Sequence, residues 1–316
     1  MYHDLRESKH QGGSSRPISA VSSVGKSTRL ITGRAWVRVP HGALVARTAT
    51  LGYMPYIIEV VQAGRTVEVM KYYSSRYGKK GIKRGERKEL TKEEQIKVNK
   101  RAAEKKLRRL INENFQEGDT HLVLDYRKER RPAGRKQMRE DADDFLREMR
   151  KLYKRHGIPF KYIHVMEIGK KGALHHHLVI NTPEEISQQA IVRCWKGRGR
   201  THHNPLDDTG QYAKLASYLI KQSDGMLRSQ DALQGKRWNS SRNLRKPKVL
   251  RKEPVKDKGW YNRIARLPKK LEQSYYLDGD SVQEGIHEKT GYTFFTYTFV
   301  KINQTWKETE LEWDKL

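Results

Sequence analysis

The chain has 316 residues and a formal net charge of +28, with 65 Lys and Arg against 37 Asp and Glu. At 35% hydrophobic and 32% charged it is long enough to bury a core yet polar for a globular protein. No apolar run approaches the ~18 residues of a membrane span, no apolar core follows a basic start as in a secretory signal, and a lone cysteine, Cys194, excludes an internal disulfide and a multi-cysteine zinc site. These features predict a soluble, cytoplasmic protein with no membrane partner. The excess positive charge points to a polyanion, most often nucleic acid.

Residues 1–53 are rich in Ser, Gly and Arg without a sustained period and read as a disordered basic arm. Gly25-Lys26-Ser27-Thr28 mimics the end of a phosphate-binding loop, but Ala20 stands where the loop needs its first glycine. Met54 opens the first patterned segment and would serve as an alternative start. A basic strand-helix extension, residues 54–117, follows. Tyr56 to Val69 reads as two short strands around Ala63-Gly64, and Thr91-Lys92-Glu93-Glu94 is a capping box that opens a basic amphipathic helix near residue 92. Positions 71–110 hold 16 Lys and Arg against 5 Asp and Glu, a stripe suited either to solvent or to phosphates.

Residues 118–225 carry the clearest pattern. His121 to Tyr126 reads as a strand; Met138, Ala142, Phe145, Leu146, Met149, Leu152 and Tyr153 then keep helical spacing, with Gly157 past the end. Phe160–Ile168 and Ala173–Asn181 form a hairpin around Gly169-Lys170-Lys171-Gly172. Thr182-Pro183-Glu184-Glu185 reads as a second capping box, opening a helix to about Trp195. A basic loop containing His202-His203 leads to a helix from about Gly210 to Gln222. The order predicts an α+β fold, an antiparallel sheet with helices packed on one face and the other face free for a site. Residues 226–316 read as a basic region, with 14 Lys and Arg against Glu253 and Asp257 over 236–270 and a small β element over Tyr292–Val300.

Within the hairpin, His175 and His177 project from one strand face about 6.5 Å apart, while His176 points the other way, into the helices. Glu167, eight residues before His175 through the turn, falls opposite the pair. Two neutral imidazoles and one carboxylate suit a catalytic divalent ion. On the following helix Lys214, Tyr218 and Lys221 share a face, and Tyr212 is turned away from it. A tyrosine flanked by ammonium groups is a candidate nucleophile; for the helix alone, a packed ring with solvated lysines serves as well. Lys236, Trp238 and Arg242 could clamp or stack on single-stranded bases. Cys194, beside Trp195, reads as a buried helix residue.

Leu122-Val123-Leu124-Asp125-Tyr126, then Glu167 with His175-x-His177, then Tyr218-Leu219-Ile220-Lys221, resembles the three ordered motifs of the HUH endonucleases, and most closely the rolling-circle replication initiators (Rep) of bacterial plasmids, phages and integrative elements. The resemblance covers about residues 54–250 and is strongest from Gly118 to Asp224. It implies a ferredoxin-like or RRM-like sheet, a metal (magnesium or manganese) on His175, His177 and Glu167, and Tyr218 as the nucleophile. Lys221 would assist it, and Tyr212 is a possible second tyrosine. The implied reaction is site-specific nicking and joining of origin DNA, single-stranded or supercoiled, that leaves a 5′-phosphotyrosine and a free 3′-hydroxyl. With no complete nucleotide-binding loop, a host helicase would unwind and a host polymerase extend. Related transposases and relaxases, or a non-catalytic basic nucleic-acid-binding protein, are the alternatives. Two positions depart from the family pattern: Asp125 stands where an uncharged residue is commoner, and His176 replaces a hydrophobic residue.

Overall fold

Two five-stranded antiparallel sheets share one α-helix in a computed structural model of the chain. The structure describes residues 56–74, 77–78, 91–169, 172–228, 236–255, 264, 267, 272–287 and 291–302. The expected N-terminal arm and the alternative start at Met54 lie outside them.

In the first sheet β1 (Tyr56–Ala63) and β2 (Thr66–Tyr73) form a hairpin, as their alternating apolar residues predict. Their other partners come from far along the chain: β8 (Lys248–Pro254) beside β1, and β10 (Thr293–Lys301) beside β2, with β9 (Tyr275–Ile286) beyond β10. One face gathers Val60, Val67, Val69, Phe295, Tyr297 and Phe299 into an apolar cluster. The other face meets α1 (Lys92–Asn114), whose capping box at Thr91 forms as the sequence predicts. Glu68, buried on β2, takes Arg108 at 2.7 Å and Arg109 at 2.6 Å from α1. The β1–β2 turn presses on the end of the same helix. A Cβ on Gly64, whose φ is +55°, would stand 1.9 Å from the Asn112 carbonyl oxygen, so only glycine fits.

The second sheet holds β3 (Thr120–Asp125), β4 (Tyr162–Ile168), β5 (Leu174–Ile180), β6 (Thr201–Pro205) and the two-residue β7 (Asn239–Ser240), in the spatial order β6-β3-β5-β4-β7. With α2 (Arg135–Arg155) and α3 (Gln188–Cys194), the chain order is β3-α2-β4-β5-α3-β6, the split βαβ arrangement of ferredoxin-like folds. Leu122, Leu124, Leu178 and Ile180 pack against Phe145, Met149, Tyr153 and Trp195 from these helices. Each fully buried large apolar side chain there contributes roughly 1.5–3 kcal/mol of transfer free energy. The mixed α+β class is as the sequence predicts.

Four local expectations need correction. Thr182 does not cap a helix: its hydroxyl bonds Thr120 Oγ1 and its N–H donates to Asp119, so the chain turns first and α3 begins after Ser187, whose side chain accepts from Ala190 N. The basic loop after Trp195 contains β6, which pairs along β3 from Leu124–Thr201 to Thr120–Pro205. Helix α4 spans Ala213–Arg228 rather than 210–222, because Gly210 adopts φ +66° and Tyr212 stands just outside the helix, its N–H donating to Asn112 and its carbonyl accepting from Ala216. Finally, the face opposite α2 and α3 is only partly free. Ala216, Leu219 and Ile220 of α4 and Leu107 and Ile111 of α1 cover Ile163, Val165 and Val179, leaving the polar remainder open.

Candidate active site

That polar remainder follows from register. β5 pairs His177 with Val123 and Val165, and His175 with Asp125 and Glu167, without a bulge, so alternate residues of three strands share one face. His175, His177 and Glu167 are therefore together, as their spacing predicts, and His121, Asp125 and, from β6, His202 join them. His176 points into the core on the other side. Fully buried, it bonds the Tyr126 hydroxyl at 2.8 Å and His164 Nε2 at 3.0 Å, which holds β5 in this register.

The acids and histidines form two groups. In one, His177 Nε2 lies 2.6 Å from Glu167 Oε2, and His177 Nδ1 lies 3.3 Å from His121 Nε2. In the other, Asp125 holds His175 Nδ1 at 2.8 Å with one oxygen and His202 Nε2 at 2.9 Å with the other. This gives Asp125, an unexplained charge in the sequence, a definite task. With His175 Nδ1 donating to Asp125, His175 Nε2 carries the lone pair, the arrangement in which a second carboxylate orients a ligating imidazole.

Burial pushes His177 below the ordinary histidine value despite the opposing pull of Glu167, and pushes His121 down to about 4 with His177 adding to the effect. Both rings are therefore neutral near pH 7 and can offer nitrogen lone pairs. Burial works to raise the Asp125 carboxyl, but hydrogen bonds from His202 and His175 outweigh it and hold the group below its ordinary value. Among the described residues no three His, Cys, Asp or Glu side chains already share one point for an ion. The donor chemistry nonetheless fits a divalent cation: neutral imidazoles, two carboxylates, and a Glu167–His177 pair whose shared proton a cation could replace.

Helix α4 lays Tyr218 over this face. Its ring meets His177 edge-on at 5.5 Å and His121 at 5.9 Å, yet 41% of the residue is exposed, the exception on a helix whose Leu219 and Ile220 are buried. Lys214 and Lys221 are exposed on the same helix. Tyr212 is not brought to the cluster. It is 3% exposed and donates its hydroxyl to the Asp207 carbonyl, and burial raises its pKa further from any nucleophilic range.

Of the expected nucleic-acid contacts, Lys236 and Arg242 are exposed, while Trp238 packs on the α1–α4 cluster with Lys106 Nζ 6.0 Å from its ring centre. Trp238 is a packing residue rather than an open stacking platform. His121 and His202 were not singled out for the site from sequence. For His121 a signal existed, since it lies two steps of strand alternation before Asp125; His202 needed the unrecognised strand β6.

Topology and polar face together are consistent with an α+β fold of the HUH type. Residues 119–223, the segment that builds this face and α4, match the family model of the replication-associated proteins of the ORF2 type, and the match is consistent with a Rep-type rolling-circle replication initiator. Neither the curated proteins nor the solved structures compared with the chain gave a match. Among the described residues no helix is long and apolar enough to cross a membrane.

Proposed function

We propose that the chain is a metal-dependent, site-specific DNA nicking and joining enzyme that initiates rolling-circle replication through a phosphotyrosine intermediate. The observation that carries this reading is the exposed Tyr218, set by α4 against His177 and His121 on a face that also holds two carboxylates. His175, His177 and Glu167 would hold magnesium or manganese, which when bound supplies Lewis-acid polarisation of a phosphate oxygen. Asp125 fixes the His175 ring, and His121 fixes that of His177.

Tyr218 Oη attacks the phosphorus of the scissile phosphodiester. The Oη–P bond forms as the P–O3′ bond breaks, the phenolic proton leaves, and the 3′ oxygen gains a proton to depart as a hydroxyl. Lys214 and Lys221 contribute positive charge on the tyrosine's helix, which favours phenolate and phosphate alike. Joining is the same displacement run backwards by a 3′-hydroxyl. The DNA would be an origin, with host helicase and polymerase completing replication.

The test is incubation with supercoiled DNA carrying an origin and magnesium or manganese, followed by denaturing electrophoresis. Wild type should give protein covalently bound to a 5′ end. Tyr218→Phe should abolish the adduct with DNA binding nearly intact, because only the attacking atom is removed. Tyr212→Phe should retain the adduct. An adduct from Tyr218→Phe but not from Tyr212→Phe would reassign the nucleophile. No nicking by wild type would favour a basic protein that binds DNA without cutting it.

A further inference from the structure

On the far side of the second sheet, away from Tyr218, the end of α2, the 156–160 turn and the segment after β7 enclose a groove of about 900 Å³. Arg139, Arg150, Lys154 and Arg242 line it against a single acid, Asp143. Asp143 is taken by Arg139 Nε, at 3.1 Å, and Arg139 Nη1 is buried with no hydrogen-bond partner among the described residues. Arg150 is braced over the Tyr162 ring, 5.8 Å from its centre, and donates to that hydroxyl. Lys154 and Arg242 are exposed and have no ion-pair partner among the described residues. Phe160 and Tyr162 form the floor but are 8% and 7% exposed, so the groove offers cations and no open aromatic face.

We infer that this groove binds the phosphate backbone of single-stranded DNA, next to the nicking face. This rests on the proposed nicking function only for the identity of the strand. Clustered, unneutralised guanidinium and ammonium groups select phosphates, and without an available ring or base-reading edge they position a strand rather than read its sequence. Size argues for one strand: a cube of this volume has edges of about 10 Å, less than the ~12 Å width of a duplex major groove alone. Position argues for a strand in transit. Tyr162 at the groove and Glu167 at the catalytic face lie five residues apart on β4, about 17 Å along a strand next to the short edge strand β7. A strand nicked on one face could therefore be held after passing around the β7 edge.

The test measures fluorescence anisotropy of a labelled oligothymidylate with the full chain in a chelator, where no cleavage occurs, across a range of salt. The double variant Lys154→Gln/Arg242→Gln should flatten the slope of log affinity against log salt by about 1.4, at ~0.7 for each single-strand phosphate contact. A control of equal charge loss at exposed positions on α1, Lys92→Gln/Lys97→Gln, should leave the slope unchanged. Duplex binding should respond less than single-strand binding to the groove variant. A wild-type slope in the groove variant, an equal flattening in the control, or an equal loss for duplex would overturn the inference. Since the readout needs no adduct, failure here leaves the nicking proposal standing, and a wild type that forms no adduct leaves the groove measurement valid.

Discussion

The two sheets handle charge in opposite ways. In the first, Glu68 is buried and closed off by two arginines from α1, so a costly charge is neutralised at short range and the sheet's other face is apolar. In the second, Asp125 and Glu167 are shared among histidines beside a tyrosine left exposed. A carboxylate locked to guanidinium groups has one state across the physiological range, whereas a carboxylate among neutral imidazoles can exchange a proton or a cation. The contrast separates residues that join the architecture from residues that can do chemistry.

The sharpest way to break that contrast is Glu68→Gln. Leaving two arginines beside a neutral, mostly buried amide should cost about 3 kcal/mol in a denaturant titration, while adduct formation per folded molecule stays at the wild-type level. Loss of adduct with stability unchanged would mean that the first sheet takes part in the chemistry. Asp125→Asn probes the other side. As the partner that orients His175, it should lower manganese affinity about 10- to 100-fold by isothermal titration with a smaller effect on unfolding; unchanged affinity would detach Asp125 from the site.

The smallest expected effect concerns pH. Burial depresses His164 to about 3, below its ordinary 6.5, so the folded state resists a proton that the unfolded chain accepts. Its contribution to stability is thus complete above about pH 6.5 and is lost as the pH falls toward the folded-state value. Between pH 7 and 6 this group alone should remove about 0.7 kcal/mol, measured by chemical unfolding at each pH. A stability that rises over that interval would show that the histidines beneath the site are not held neutral.

Strand alternation made much of this legible in advance. His175 and His177 against Glu167 needed only period two and a short turn, and the Tyr218 helix needed only its apolar spacing. The segment 118–224 that carried the resemblance nearly coincides with the matched residues 119–223. What escaped had physical causes. β6 is Thr-His-His-Asn-Pro, an edge strand without the apolar alternation that marks a strand, so His202 was hidden with it. Thr182 has the residues of a capping box, but its donors and acceptors are taken by Asp119 and Thr120. The union of β1 and β2 with strands almost two hundred positions later leaves no local pattern to read.

That union also bears on how the protein comes to exist. Ile57 pairs with Pro254, and Thr66 with Val300, so a ribosome must deliver nearly all the described chain before β1 and β2 acquire their outer neighbours. The strands and helices of residues 118–225 close over short separations and can assemble first, whereas the first sheet waits on long-range loop closure and should set the slow phase of folding. Until then the β1–β2 hairpin presents two unpaired edges to every other nascent chain, and the cationic segments between the sheets, like-charged from copy to copy, work against their association.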